Sequence, residues 1–225
     1  MKIDILTIFP EMFTGFINTS IIKRAIDDKK VEIKIYNFRD YSLDKHNRVD
    51  DYPYGGGAGM VLQCEPIFRC IDEILTKDSK VIMMSPAGRV FKQQVAVDLS
   101  KEKHLIILCG HYEGFDERIK TLVDMELSIG DYVLTGGEVP AMAVTDAIVR
   151  LIPGVISQDS LVSESFNDGM LDYPTYTRPE VFRGMRVPEV LLSGDHKKIE
   201  EYRQSERIRR TKEARGDIFG GDKLE

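Results

Sequence analysis

The chain reads as an α/β protein built on a mostly parallel sheet, and three features of the sequence predict it. Short apolar runs of strand length alternate with amphipathic helical segments through about residue 152, the order that generates parallel strands joined by crossover helices. Two of those runs, Lys80–Met84 and Leu105–Cys109, are apolar almost throughout and break into glycine-bearing loops, as strands buried on both faces do. After Pro153-Gly154 the alternation stops, and a polar stretch separates off a small charged tail. The chain therefore divides into residues 1–156, a flexible connection over 157–173, and a small helical tail over 174–225.

The elements follow in order. Lys2 to Phe9 places Ile3, Ile5 and Ile8 in a short strand. Pro10 opens a helix whose apolar positions Phe13, Phe16 or Ile17, Ile21 and Ala25 recur near a period of 3.6. Val31 to Phe38 alternates as a second strand, and the polar segment Asp40–Asp51 leads into DYPYGGGAGM. A helix over Glu65–Leu75 carries Ile67, Cys70, Ile71 and Ile74 on one face. The strand Lys80–Met84 ends at SPAG, helical residues span Phe91–Leu99, and the strand Leu105–Cys109 ends at Gly110. The loop HYEGFDER then enters a short helix through Asp116 and Glu117, acids suited to a helix N-terminus. A strand-like piece, Tyr132–Leu134, ends at Gly136-Gly137, and Pro140 starts a helix with Met142, Thr145, Ile148 and Leu151 or Ile152 on one side. Two strand ends thus deliver glycine loops, and in α/β sheets ligands bind outside the carboxyl ends of strands.

Composition narrows the functional classes. There is no apolar run of membrane-spanning length, and Asp4 comes too early for a secretory signal. The three cysteines, Cys64, Cys70 and Cys109, form no CxxC pair, so neither a zinc site nor a disulfide framework is expected and the chain reads as cytoplasmic. No metal site is expected elsewhere. The net charge of −6 argues against blanket nucleic-acid binding. Its distribution is uneven: residues 176–225 carry 12 Lys+Arg against 10 Asp+Glu, the remainder 19 against 27. Arg203 to Arg215 holds six basic residues and two acids, which reads either as a solvated helix face or as a contact to RNA phosphates.

Single motifs are weak. YGGGAGM, residues 54–60, lacks the Gly-Lys-Ser/Thr of a Walker A loop. It reads equally as a tight turn or as backbone approaching a ligand. No GxGxxG opens a helix after the first strand, against a dinucleotide fold. Glu113 past a strand end, Arg150 at a helix end, and Glu164, Asp168 and Asp172 in the connection each admit a bland surface reading.

Together the blocks PYGGGAGM, SPAG, CGHYEGFDERI, SIGDYVLTGGEVPAM, RLIPGV and YPTYTRPEVFRGMRVPEVLLSGDH, in this order and nearly end to end, resemble the bacterial tRNA (guanine-N1)-methyltransferases. The resemblance implies the SPOUT fold, an α/β domain with a deep trefoil knot followed by a linker and a small helical tRNA-binding domain. It implies S-adenosylmethionine (AdoMet) held by the knot loops, on Met84, Ser85, Pro86 and Gly88, on Gly110, Tyr112 and Glu113, and on Ser128, Ile129, Gly130, Tyr132, Val133 and Leu134. Gly136, Gly137 and Pro140 complete the set, with Asp172 from the linker. The substrate implied is the guanosine immediately 3′ of the tRNA anticodon, methylated at N1 by a homodimer with shared active sites. A base at N1 and a positive group near O6 are then needed. The matching positions are Glu164 in ESF and Arg150 in RLIPG, with Asp168 as the rival base. This chain departs from the family pattern at Glu164 (usually Asp), His111 (usually Arg) and Thr175 (often His). A SPOUT enzyme acting on another RNA and a non-catalytic RNA-binding protein of the same fold are the alternative readings.

Overall fold

In a computed structural model, the structure describes residues 1–157, 164–166 and 168–219. Two compact units result, Met1–Ile156 and Ser157–Glu225. Residues 158–163 and 167 of the proposed linker, and 220–225 of the tail, lie outside the described residues.

The first unit is built on a five-stranded parallel sheet and also holds a two-stranded antiparallel ribbon, Asp50–Asp51 with Val61–Leu62. The strands of the sheet are β1 (Lys2–Thr7), β2 (Glu32–Asn37), β3 (Ser79–Val90), β4 (His104–Leu108) and β5 (Met125–Ser128), in the spatial order β2-β1-β4-β3-β5. Helices α1 (Ser20–Asp27), α2 (Cys64–Ile74), α3 (Gln93–Leu99) and α4 (Glu138–Val149) cover it. Successive side chains of a strand point to opposite faces, and both faces are buried. Ile3, Ile5, Ile82, Met84, Leu105 and Ile107 pack with Ile22 of α1, Leu99 of α3 and Val144 and Ile148 of α4. Leu6, Val81, Met83, Ile106 and Leu108 pack with Ile67, Cys70, Ile71 and Ile74 of α2. Every residue of β4 is buried, which is why its sequence is a continuous apolar run rather than an alternating one. Asp4, also buried, is the exception that needs partners: its Oδ2 accepts from Lys2 Nζ at 2.6 Å and faces His104 Nε2 at 2.9 Å.

Three local expectations are corrected. The helix expected from Pro10 through Ala25 is broken into a 3₁₀ turn (Pro10–Phe13), a short helix (Thr14–Ile17) and α1. Asn18 and Thr19 turn their side chains back onto the Thr14 and Gly15 carbonyls (2.8 and 2.7 Å), offering the backbone an alternative to helix. Ser85–Gly88 does not end β3. It is a local excursion, because β5 residue Leu127 lies opposite both Met84 and Arg89 before pairing resumes. Finally, Tyr132–Leu134 is not a strand. The fifth strand is the preceding MELS, whose Leu127 and Ser128 are buried, whereas Tyr132, Val133 and Leu134 are exposed in the loop to α4. An aromatic–β-branched triplet forms a strand only where a neighbouring strand accepts its hydrogen bonds.

The second unit holds a small antiparallel hairpin (Val181–Phe182 with Met185–Arg186), a helical turn (Glu189–Leu192), the long helix α5 (His196–Ala214) and a closing turn (Gly216–Phe219). Asp195 caps α5, its side chain accepting from the Lys198 amide.

Candidate active site

The excursion inside β3 and the carboxyl ends of β4 and β5 open into one cavity of about 370 Å³, within the roughly 300–1,000 Å³ typical of small-molecule sites. Met84, Ser85 and Pro86 line it from the excursion inside β3; Gly110, Tyr112 and Glu113 come from the loop after β4. Ser128, Ile129 and Gly130 leave β5, and Tyr132, Val133, Leu134, Gly136, Gly137 and Pro140 follow on the way into α4. Two of the expected cofactor residues are not in this lining. A Cβ on Gly88 would lie 2.5 Å from Glu126 C and Leu127 N, so this glycine serves the crossing of β3 against β5. Asp172 belongs to the second unit.

Glycine is required where loops touch. The Gly137 amide donates to the Gly110 carbonyl at 2.8 Å, and a Cβ on Gly137 would stand 2.8 Å from Cys109 Cα. The triple glycine shows both of its readings at different residues. Gly55 and Gly56 take positive φ with open space around them, a turn; Gly59, at φ +84°, presses on the Glu113 side chain so closely that a Cβ would overlap it. The Glu113 amide also donates to the Met60 carbonyl at 3.0 Å. The glycine loop therefore seats Glu113.

Several residues of the site escaped the sequence reading. Glu138, buried in the first turn of α4, accepts from the Thr7 hydroxyl at 2.8 Å, and Thr7 Oγ1 accepts from the Phe9 amide at 2.9 Å. This chain ties the end of β1 to the start of α4. Nothing local in the sequence marks it, since 131 residues separate Thr7 from Glu138. His111, where the family pattern usually has Arg, is held by its Nδ1–H donating to the Thr135 carbonyl at 2.7 Å. A carbonyl only accepts, which fixes that tautomer. The ring meets Phe9 edge-on at 4.8 Å and stacks on Tyr112 at 5.5 Å. Glu126 and Lys120 also line the cavity. Lys120 is held above its ordinary range by Glu117 at 3.0 Å and Glu126 at 3.6 Å. The other Glu126 oxygen, Oε2, is buried without a hydrogen-bond partner among the described residues. An orphaned buried carboxylate oxygen in a cavity wall is an open acceptor for a ligand's hydroxyl or amino group.

The remaining candidates are not among the residues of this lining. Arg150 follows α4 and donates its amide to Asp146 O at 3.1 Å. Glu164 is half-buried in the second unit. Asp168 is taken: its Oδ1 accepts from Arg207 Nη2 at 2.5 Å, and this guanidinium holds the carboxyl below the usual range. The basic cluster is likewise engaged within its own unit. Arg209 pairs with Glu206 and Glu213, Arg210 donates to the Asp172 carbonyl at 2.9 Å, and Arg215 pairs with Asp217. Arg203 lies over the Tyr173 ring at 4.7 Å. No group of three metal-ligating side chains and no helix apolar enough to cross a membrane occurs among the described residues.

Comparison with known proteins agrees over nearly the whole chain. The chain is 55% identical to the tRNA (guanine-N(1)-)-methyltransferase of Dictyoglomus turgidum over 220 residues, covering 97% of this chain and 90% of that one. It is 56% identical to the protein of the same name from Staphylococcus aureus strain Newman over 222 residues, with 97% and 91% covered. The family model described as tRNA (guanine-1)-methyltransferase TrmD matches residues 1–221. A parallel sheet three of whose adjacent strands share one glycine-walled cavity, with this match along the chain, places the protein in the tRNA (guanine-1)-methyltransferase family.

Proposed function

We propose that the protein methylates N1 of the guanosine immediately 3′ of the tRNA anticodon, position 37, using AdoMet. The observation that carries the reading is the convergence of fifteen expected cofactor residues, spread over 56 positions from Met84 to Pro140, on a single cavity. The family and the names of its relatives supply the substrate class.

When bound, AdoMet supplies a methyl group on a positively charged sulfonium. The cavity suits such a group. The orphaned Glu126 oxygen offers an acceptor for a ribose hydroxyl, and Glu113, seated by Gly59, brings a negative charge to the same wall. Gly110, Gly136 and Gly137 let main-chain groups come close to an adenine and ribose.

Guanine N1 carries a proton and is a poor nucleophile until that proton leaves. In this reading Glu164 takes the N1 proton as general base, and Arg150 stabilises the charge that accumulates on O6. Asp168 is the poorer base, because Arg207 lowers its proton affinity and occupies its oxygen. Residues 157–173 act as an interdomain linker, and 174–225 as the tRNA-binding domain. As the family resemblance implies, we read the enzyme as a homodimer with shared active sites. We read the enzyme as cytoplasmic and its loop crossing as the trefoil knot of the SPOUT class.

Single-turnover methylation with tRNA transcripts tests the base. Glu164→Gln should keep AdoMet and tRNA binding and lower the rate roughly 10²–10⁴-fold, while Glu164→Asp stays active. Near wild-type transfer by Glu164→Gln would sink the assignment. Mass spectrometry of the product nucleosides decides the substrate: any methylated position other than N1 of that guanosine refutes the reaction proposed.

A further inference from the structure

We propose that Asp168 and Arg207 form a clasp that fixes the Glu164–Phe166 turn on helix α5, and so act as positioning residues for the base; this rests on the reading of Glu164 given above. The contacts run continuously through the second unit. Arg207 is a helix residue with 7% of its side chain exposed, an unusual burial for a guanidinium unless it is paired. Its Nη2 donates to Asp168 Oδ1 at 2.5 Å, its Nε to the Leu171 carbonyl at 3.3 Å, and its Nη1 to Gln204 Oε1 at 3.5 Å. One turn further along, Thr211 Oγ1 accepts from the Leu171 amide at 2.9 Å, and Arg210 reaches the Asp172 carbonyl.

The segment so held grips the turn in turn. The Asp172 amide donates to Ser165 Oγ at 3.0 Å, and the Phe166 amide to the Met170 carbonyl at 2.7 Å. Phe166 sits at φ +71°, a left-handed conformation costly for a bulky residue and kept only where surroundings impose it. The Arg215 guanidinium stacks over its ring at 5.6 Å. Ser165 and Phe166 flank Glu164 directly, so a shift of residues 168–172 moves the carboxylate. Of the basic run of α5, Arg207 and Arg210 are spent on a neighbouring stretch of their own chain, while Arg209 pairs with Glu206 and Glu213 of its own helix. A charge-assisted pair whose guanidinium is buried and whose carboxylate is half exposed is the strongest link in that chain of contacts.

The test uses the full-length protein with transcript tRNA. In Asp168→Asn the plateau rate of single-turnover transfer should fall about tenfold, the scale of a sub-ångström misplacement at a reacting centre. The acid limb of the pH–rate profile should survive, since Glu164 carries it. AdoMet affinity should be unchanged, the melting temperature should fall as the buried Arg207 loses its counter-charge, and amide exchange at Leu171 should quicken. Asp168→Glu should restore most of the rate. If Asp168→Asn melts the small unit, Arg207→Lys replaces it with the same expectations. Wild-type rate with quickened exchange overturns the positioning role. Loss of the acid limb makes Asp168 the base instead. A wild-type protein that binds AdoMet and tRNA yet methylates no guanosine overturns the reading of the active site, and the clasp's role with it.

Discussion

Replacing Gly137 by alanine probes the cavity with a single methyl group. The backbone there, φ −83° and ψ −4°, is one alanine adopts freely, so any effect is steric rather than torsional. The added Cβ would lie 2.8 Å from Cys109 Cα and from Gly110 N, backbone atoms of the adjoining β4 end that no rotamer change can remove. Relief to ordinary contact, 3.4 Å or more, requires the α4 N-terminus to retreat by about 0.6 Å. That movement strains the Gly137–Gly110 hydrogen bond and carries Gly136 with it. Overpacking of this kind costs about 1–3 kcal/mol, or a melting temperature lower by roughly 2–12 °C in a protein of this size. A loop displaced on this scale should weaken AdoMet at least tenfold, by the general sensitivity of bound geometry to sub-ångström shifts. Isothermal titration calorimetry with AdoMet and differential scanning fluorimetry read the two effects side by side. Gly15→Ala is the control, since its Cβ meets nothing within 4 Å and should leave affinity unchanged. A Gly137→Ala protein that loses stability but binds AdoMet like the wild type would refute the cofactor's placement against this loop.

Two further predictions rest on the same region. Glu126→Gln keeps the shape of the wall but removes the charge from the orphaned oxygen. It should weaken AdoMet by about 10- to 100-fold, the range of a lost charge-assisted hydrogen bond, and unchanged affinity in the calorimeter would exclude Glu126 from the ligand shell. Burial raises the thiols of Cys70, to about 12, and of Cys109, where Glu138 adds to the effect. Thiol titration of the native protein should therefore find at most Cys64 reactive near neutral pH, with all three appearing in denaturant; rapid native labelling of Cys109 would contradict the packing of Gly137 against it.

The sequence by itself determined the α/β class of the first unit and most of its elements, because those elements have a local cause. A strand buried on both faces must be apolar throughout, as β4 is, and a helix covering a sheet must repeat its apolar residues near 3.6, as α2 does. The glycine loops after β4 and before α4 were legible for the same reason. They mark where an apolar run stops, and fifteen residues read from them or from the family pattern line one cavity. What failed locally was register and continuity: the strand sought at Tyr132–Leu134 lies at Met125–Ser128, where β3 is present to pair with it.

Only the tertiary structure decided the partners of charged groups, since those partners are distant in sequence and their spacing carries no period. Thr7 with Glu138, Gly59 with Glu113, and Arg207 with Asp168 are separated by 131, 54 and 39 positions. A run of arginines has the same composition whether it faces RNA phosphates or clasps its own chain. The difference lies in burial, and a guanidinium with 7% of its side chain exposed must find its counter-charge within the fold.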